Sequence, residues 1–265
     1  MIEIPLRQSW LNTFDRCPEQ ARQERLGLVT ALPNSDMLRG NLVHAAIEHC
    51  GNMMMEYGAI WCLELDRLAA PTLDECMEYM DSVTAQLSSE VVEWREDYEK
   101  VIDRARVNLT GWYNDYLPKL GIPTGVEQEF RITLDERDGV RLVLTGTADW
   151  VEPNRITDWK NPGREYVQWE KRRWDLQSTV YCHALGIPSF ALVAIVNGVV
   201  QETLIERPAG YGEALKDLCW SAAGLIQSDL KVWPMRWSGW HCSPKWCPVW
   251  QAGECRGKHL GSNPW

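Results

Sequence analysis

The residues with the narrowest chemical reading lie on two adjoining segments. In "TGTADWVEPNRITDWKNPG", Thr145 to Gly163, Asp149 stands before a Glu-Pro-Asn turn, and Asp158 and Lys160 stand after it. Residues two apart on a strand share a face, so Ile156, Asp158 and Lys160 point the same way, with Asp149 nearly opposite Asp158 on the preceding strand. Two carboxylates facing one pocket repel each other unless one is protonated or a cation bridges them. Hard oxygen donors in that arrangement suit Mg²⁺ or Mn²⁺. A lysine beside such an ion can orient a water or stabilise a pentavalent phosphate. Taken alone, Asp158-Trp159-Lys160 reads first as a solvated hairpin with a weak surface pair, because so short a motif occurs by chance.

Other residues weigh against that plain reading. His44 follows Gly40 on an apolar-faced segment, "GNLVHAAIEH". Gln177 and Tyr181 are four apart on a later helical stretch, so they share a face and can pack or hold Lys160 and a phosphate. Arg164, Lys171, Arg172 and Arg173 follow Lys160 closely, where they suit either a solvated face or a phosphate backbone. Cys242, Cys247 and Cys255 cluster in a tail rich in Trp and Pro, and Cys17 is the cysteine nearest the N-terminus. A coil of that composition has little core in which to bury three thiols, and four thiolates suit zinc or an iron–sulfur cluster. Cys50, Cys62, Cys76, Cys182 and Cys219 read as buried apolar thiols.

The elements that must position these groups follow from periodicity. Leu38, Leu42, Ala45 and Ala46 recur at helical spacing, so "DMLRGNLVHAAIEHCGNMMMEYG" is a helix. The stretch from about Thr72 to Leu117 is helical, and Thr72 with Glu75 signals a capping box. "GVEQEFRITL", "VRLVLTGTADWV" and "RITDWK" read as an antiparallel meander. The stretch from Val167 is a helix ending at Gly186. Asn197-Gly198 joins two strands, the strongest short hairpin signal, and a last helix covers roughly Tyr211 to Ser228. Helices, three strands, a helix, two strands and a helix predict an α/β fold, a mixed α+β sheet covered by helices.

Bulk properties set outer limits. The chain has 265 residues, of which 45% are hydrophobic and 24% charged, an ordinary globular composition. No run reaches the length of a membrane span and the N-terminus lacks a signal-peptide pattern, so a cytoplasmic location without membrane partners is expected. The formal charge of −10 argues against a general nucleic-acid coat but leaves room for a local basic groove with metals. The fifteen tryptophans include Trp169, Trp174, Trp233, Trp237, Trp240, Trp246 and Trp250 near the proposed site or the cysteine tail, where they fill a loop-rich core or stack on unpaired bases.

The order Gly40-x-x-x-His44, Gly146-x-x-Asp149, Asp158-x-Lys160, Gln177-x-x-x-Tyr181 resembles the PD-(D/E)XK nuclease superfamily, and most closely its RecB-like branch. The resemblance implies a restriction-endonuclease-like core in a single domain over 1–265, with a helical insertion at about 57–124 and a cysteine region at about 233–265. It implies that His44, Asp149, Asp158 and the Trp159 carbonyl bind Mg²⁺ or Mn²⁺ and that Lys160 assists attack, with Gln177 and Tyr181 in support. The central acid is often glutamate in this family; here it is Asp158. A glutamate on the strand before the first aspartate is also common, and Glu127 and Glu129 both fit. Iron–sulfur nucleases of CRISPR adaptation and recombination helicase–nucleases carry one cysteine before the core and three after it. The resemblance thus implies a 4Fe-4S cluster on Cys17, Cys242, Cys247 and Cys255. The last three are separated by four and seven residues rather than the usual two and five, which keeps zinc as the alternative.

On that reading the expected activity is a DNA exonuclease on single-stranded ends, with 5′-to-3′ polarity favoured. With no GxxxxGK loop it has no helicase motor of its own. It acts alone or with a helicase, recombination or CRISPR adaptation partner, in a bacterium or a phage, with oligomerisation left open. The rival is a non-catalytic nucleic-acid-binding or assembly protein on the same fold.

Overall fold

A computed structural model describes residues 1–61, 70–91, 93–163, 175–236, 241–244 and 246–256. Its elements are β1 (Ile2–Arg7), α1 (Gln8–Arg16), α2 (Pro18–Arg25), α3 (Ser35–Trp61), α4 (Leu73–Ser88), α5 (Tyr98–Asp115), β2 (Gly125–Arg137), β3 (Val140–Glu152), β4 (Arg155–Lys160), α6 (Leu176–Leu185), β5 (Ser189–Val196), β6 (Val199–Glu206), α7 (Tyr211–Gln227) and a short α8 (Pro248–Gln251). The strands make one six-stranded mixed sheet in the order β1-β3-β4-β5-β6, with β2 pairing β3. The α/β expectation with a mixed sheet is therefore met.

Two compact units divide the chain: residues 1–32, 131–146 and 210–265 form the first, and residues 33–130 and 147–209 the second. In the first unit β1 runs parallel to the opening half of β3, from Ile2↔Val140 to Arg7↔Thr145. Sequence reasoning passed over β1. Its Ile2-Ile4-Leu6 alternation is short and interrupted by Pro5, and its partner is far away along the chain. Trp10 and Phe14 stack at 5.5 Å, and Trp233 meets both edge-on at 6.4 and 6.2 Å. Trp233 is buried, as a core-filling role requires; Trp250 is half-buried and Trp246 is 47% exposed. Trp169, Trp174, Trp237 and Trp240 lie outside the described residues.

The second unit holds the larger core. Leu42, Ala46, Ile47, Cys50 and Met54 of α3 pack with Cys76 and Met80 of α4 and Val101, Ala105, Leu109 and Trp112 of α5. This helical layer packs against Trp150, Trp159, Val193 and Ile195 of the sheet. Thr72 and Glu75 form the expected capping box at the start of α4. β3 and β4 pair antiparallel through Trp150↔Thr157, while β4 and β5 run parallel and β5 and β6 antiparallel. Asn197 and Gly198 both adopt positive φ, 51° and 81°, as a tight hairpin turn requires. Here α5 comes so close that a Cβ on Gly111 would overlap the Gly198 carbonyl. α6 ends at Gly186 in the left-handed region, φ 68°. Cys50, Cys76, Cys182 and Cys219 are buried thiols, as read from the sequence; Cys62 lies outside the described residues.

Candidate active site and cysteine cluster

Strand alternation sets the site. On β4, Trp159 points into the core, while its neighbours Asp158 and Lys160 take the other side. The Trp159 ring is 1% exposed and meets Trp112, Tyr116 and Trp150 edge-on at 5.7–6.0 Å. Edge-to-face packing at such distances adds about 0.5–1.5 kcal/mol per pair beyond area burial. That packing fixes the backbone whose polar groups serve the site. The Trp159 N–H donates to Asp149 Oδ2 at 2.9 Å, and the Trp159 carbonyl lies 2.8 Å from His44 Nε2. A carbonyl only accepts, so in this geometry Nε2 carries the imidazole proton and Nδ1 faces Asp149 Oδ2 at 3.6 Å.

His44, Glu127 and Asp149 each offer a ligand atom, all within 4.8 Å of one another. The structure thereby separates the two glutamates left open by the sequence. Glu127 joins the cluster, whereas Glu129 is exposed. Glu127 takes φ 45°, a left-handed conformation rare for a residue with a Cβ and worth on the order of 1–3 kcal/mol of strain. Such strain is concentrated at functional sites.

Asp158 faces a different set. It is fully buried; its Oδ2 lies 2.6 Å from Lys160 Nζ, and its Oδ1 accepts from Gln177 Nε2 at 2.5 Å. Gln177 Nε2 also reaches the Tyr181 hydroxyl at 3.3 Å. The shared helix face of Gln177 and Tyr181 thus holds the acid directly, and the lysine through it. Lys160 keeps a third of its side chain exposed. Arg164, Lys171, Arg172 and Arg173 lie outside the described residues.

Charge crowding shows in the titration of the site. Burial and then the Asp149 charge push Asp158 up to about 7, against the pull of Lys160. Burial, Asp149 and Glu48 push Glu127 up to about 7. Burial also raises Asp149. Burial and the Lys160 ammonium draw His44 down to about 4, leaving a neutral imidazole at pH 7. Burial lowers Lys160, but Asp158 and Asp149 outweigh it and keep the ammonium charged. Carboxyl groups raised chiefly by burial, and at Asp158 and Glu127 also by neighbouring carboxylates, with an imidazole and a carbonyl beside them, suit a hard divalent cation. Glu48 went unremarked in the sequence; its signal was its place one turn after His44 on the same helix face.

In the first unit, Cys17, Cys242, Cys247 and Cys255 stand as thiols. Burial, then Cys255 and Cys17, raise Cys242; burial raises Cys247, to which Cys255 and Cys17 again add. The four thiols are thus near enough to sense one another. Among the described residues no three of them bring Sγ atoms within 4.8 Å of each other; thiolates about 2.3 Å from a single zinc would be about 3.8 Å apart. Their support is small: Val29, Cys247 and Val249 make a separate apolar cluster, lined by Trp250 and Cys255. Turn hydrogen bonds wind the tail, from Cys247 N to Ser243 O at 3.0 Å and from Cys255 N to Val249 O at 3.1 Å.

The sequence matches the PD-(D/E)XK nuclease superfamily over residues 6–252. The chain belongs to that superfamily, and its mixed sheet and acid cluster agree with a metal-dependent nuclease acting on DNA. No curated protein matches significantly. Among solved structures, the crystal structure of SSO0001 is 13% identical with a TM-score of 0.39, covering 95% of this chain and 96% of that one. No described helix is long and apolar enough to cross a membrane.

Proposed function

We propose that this nuclease is a Mg²⁺- or Mn²⁺-dependent exonuclease of the RecB-like branch, acting on single-stranded DNA ends, with 5′-to-3′ polarity favoured. The observation that carries the reading is the convergence of His44, Glu127 and Asp149 within 4.8 Å, beside the Trp159 carbonyl and the Asp158–Lys160 pair. His44, Asp149, Asp158 and the Trp159 carbonyl would hold the cation, and Glu127 completes the donor set. A bound divalent ion supplies a water of lowered pKa and neutralises charge on the phosphate. The chain's own groups do the rest. Neutral His44 offers a lone pair at working pH. Gln177 fixes Asp158, and Asp158 fixes the Lys160 ammonium. Lys160, charged and partly exposed, holds the attacking water in line and meets the charge that develops on phosphorus.

The thiols of Cys17, Cys242, Cys247 and Cys255 are the ligand set for a 4Fe-4S cluster, with zinc as the alternative. Their mutual electrostatic influence supports a shared ligand on these four thiols. It would act as a structural staple closing the chain between Cys17 and the tail. A helicase, recombination or CRISPR adaptation complex, in a bacterium or a phage, is the setting in which such a chain would work.

End-labelled and circular single strands, incubated with Mn²⁺, test the reading. Loss of the labelled end with the circle intact is expected, and Asp149→Ala and Lys160→Ala should abolish it. Cleavage unchanged in both variants would reject the site. Protein purified without air should be brown and contain iron and acid-labile sulfide in equal amounts; a colourless, zinc-loaded protein would replace the cluster and leave the nuclease standing.

A further inference from the structure

A cavity of about 520 Å³ opens directly beside the acid cluster, sharing His44, Glu127 and Lys160 with it. Its size falls in the range of small-molecule sites, roughly 300–1,000 Å³. One face of α3 forms its floor through Met37, Gly40, Asn41 and Glu48, and Leu87 of α4 and Asn161 form part of the walls.

Two features of this cavity have no role in packing. The first is Gly40, inside a 27-residue helix, where glycine is destabilising relative to alanine. Its φ is not positive, and among the described residues a Cβ added there would meet no atom within 4 Å beyond its chain neighbours and its own helix's nearby backbone. Neither backbone geometry nor packing requires glycine, so what the glycine preserves is the space above it. The second is Asn161 Nδ2, buried without a hydrogen-bond partner among the described residues. An amide donor in that state is costly unless a water or a ligand supplies an acceptor.

We infer that this cavity is a nucleotide subsite, taking the base and sugar next to the scissile phosphate, with Gly40 setting the room available. The charges decide which part of a nucleotide enters. Lys160 and the cation donors His44 and Glu127 lie on the side of the scissile phosphate, while Glu48 repels a second phosphate and the apolar Met37 and Leu87 offer contact for a base. The Asn161 amide can donate to a ring nitrogen or carbonyl, and Glu48 can accept from a base N–H. The inference rests on the nuclease reading and adds to it a residue that limits substrate size.

The test compares the wild type with Gly40→Ala and Gly40→Leu on a single-stranded oligonucleotide in Mn²⁺, and on oligonucleotides with one abasic nucleotide walked along the strand. Gly40→Ala should melt higher than the wild type and bind Mn²⁺ equally well. Gly40→Leu should raise KM by roughly tenfold or more, the size of losing one base contact. That penalty should vanish when the abasic nucleotide stands at one particular position beside the cleaved bond. A wild-type KM in Gly40→Leu, or an equal penalty on every abasic substrate, overturns the inference. If the wild type cleaves nothing, the nuclease reading fails instead, and binding of the same oligonucleotides in Ca²⁺ decides the subsite by the same pattern.

Discussion

The acid cluster and the cysteine cluster are built in opposite ways. Each group at the acid site sits on a regular element whose other face is anchored in a large core. Trp159 is locked by three aromatic rings while its two neighbours face the chemistry. The cysteines sit at a helix junction and in a tail wound by turns, over an apolar cluster of Val29, Cys247 and Val249. The first arrangement is preorganised by packing and strains against its own charges. The second has little packing and would depend on what its thiols bind. Preorganisation for chemistry thus comes from the core in one region, whereas the other would owe its stability to whatever its thiols bind.

The sharpest break in this comparison is at the lysine. Lys160→Ala should lower kcat about 10²–10⁴-fold, the scale of a group positioned on a proton or water, with little change in melting temperature. A collapse of stability instead would make Lys160 a structural partner of Asp158 alone. Next, Trp159→Ala should cost about 3–5 kcal/mol in denaturant unfolding, as a buried tryptophan truncation does, and should take activity with it. Cys247→Ser should cost on the order of 2–4 kcal/mol if it opens a staple between Cys17 and the tail. Cleavage per folded molecule should survive in the cold. Equal activity losses in Trp159→Ala and Cys247→Ser, without unfolding of the latter, would erase the distinction between the regions.

A smaller effect concerns protons. Asp158 and Glu127 titrate near 7 in the folded chain, well above ordinary carboxyl groups near 4. Between about pH 4 and 7 the native state therefore binds more protons than the unfolded chain, and stability falls as pH rises through that window. A cation that takes the place of those protons restores it. Mn²⁺ should raise the melting temperature more at pH 8 than at pH 6, where it must displace protons first; an equal rise at both would place the ion elsewhere. The smallest change is Thr72→Ala, which should cost about 1 kcal/mol through the lost capping box.

Much of this was legible in the sequence because it depends on local periodicity. Asp158 and Lys160 share a face for the same reason that Trp159 does not. The Asn197-Gly198 turn and the Thr72 cap are short-range signals. The choice of Glu127 over Glu129 was hidden, since residues two apart on a strand are equivalent in any alternation pattern. Only the fold brings Glu127 to His44 and Asp149, with a positive φ at Glu127 that alternation does not encode. The Gln177–Asp158 hydrogen bond was out of reach for another reason: helix spacing put Gln177 and Tyr181 on one face, which was expected to pack or to hold Lys160, whereas the direct bond goes to Asp158. β1 was missed because six residues with a proline state no partner.

Asn108 of α5 is almost wholly buried and works in two directions. Its Oδ1 accepts from Gly198 N at 2.9 Å, and its Nδ2 donates to Asn161 Oδ1 at 3.0 Å, one residue beyond Lys160. A single amide therefore ties the tip of a surface hairpin to the end of the reactive strand. The tip becomes a remote handle: adding a residue between Asn197 and Gly198 is expected to shift the lysine and slow turnover, while every side chain around the cleft keeps its identity.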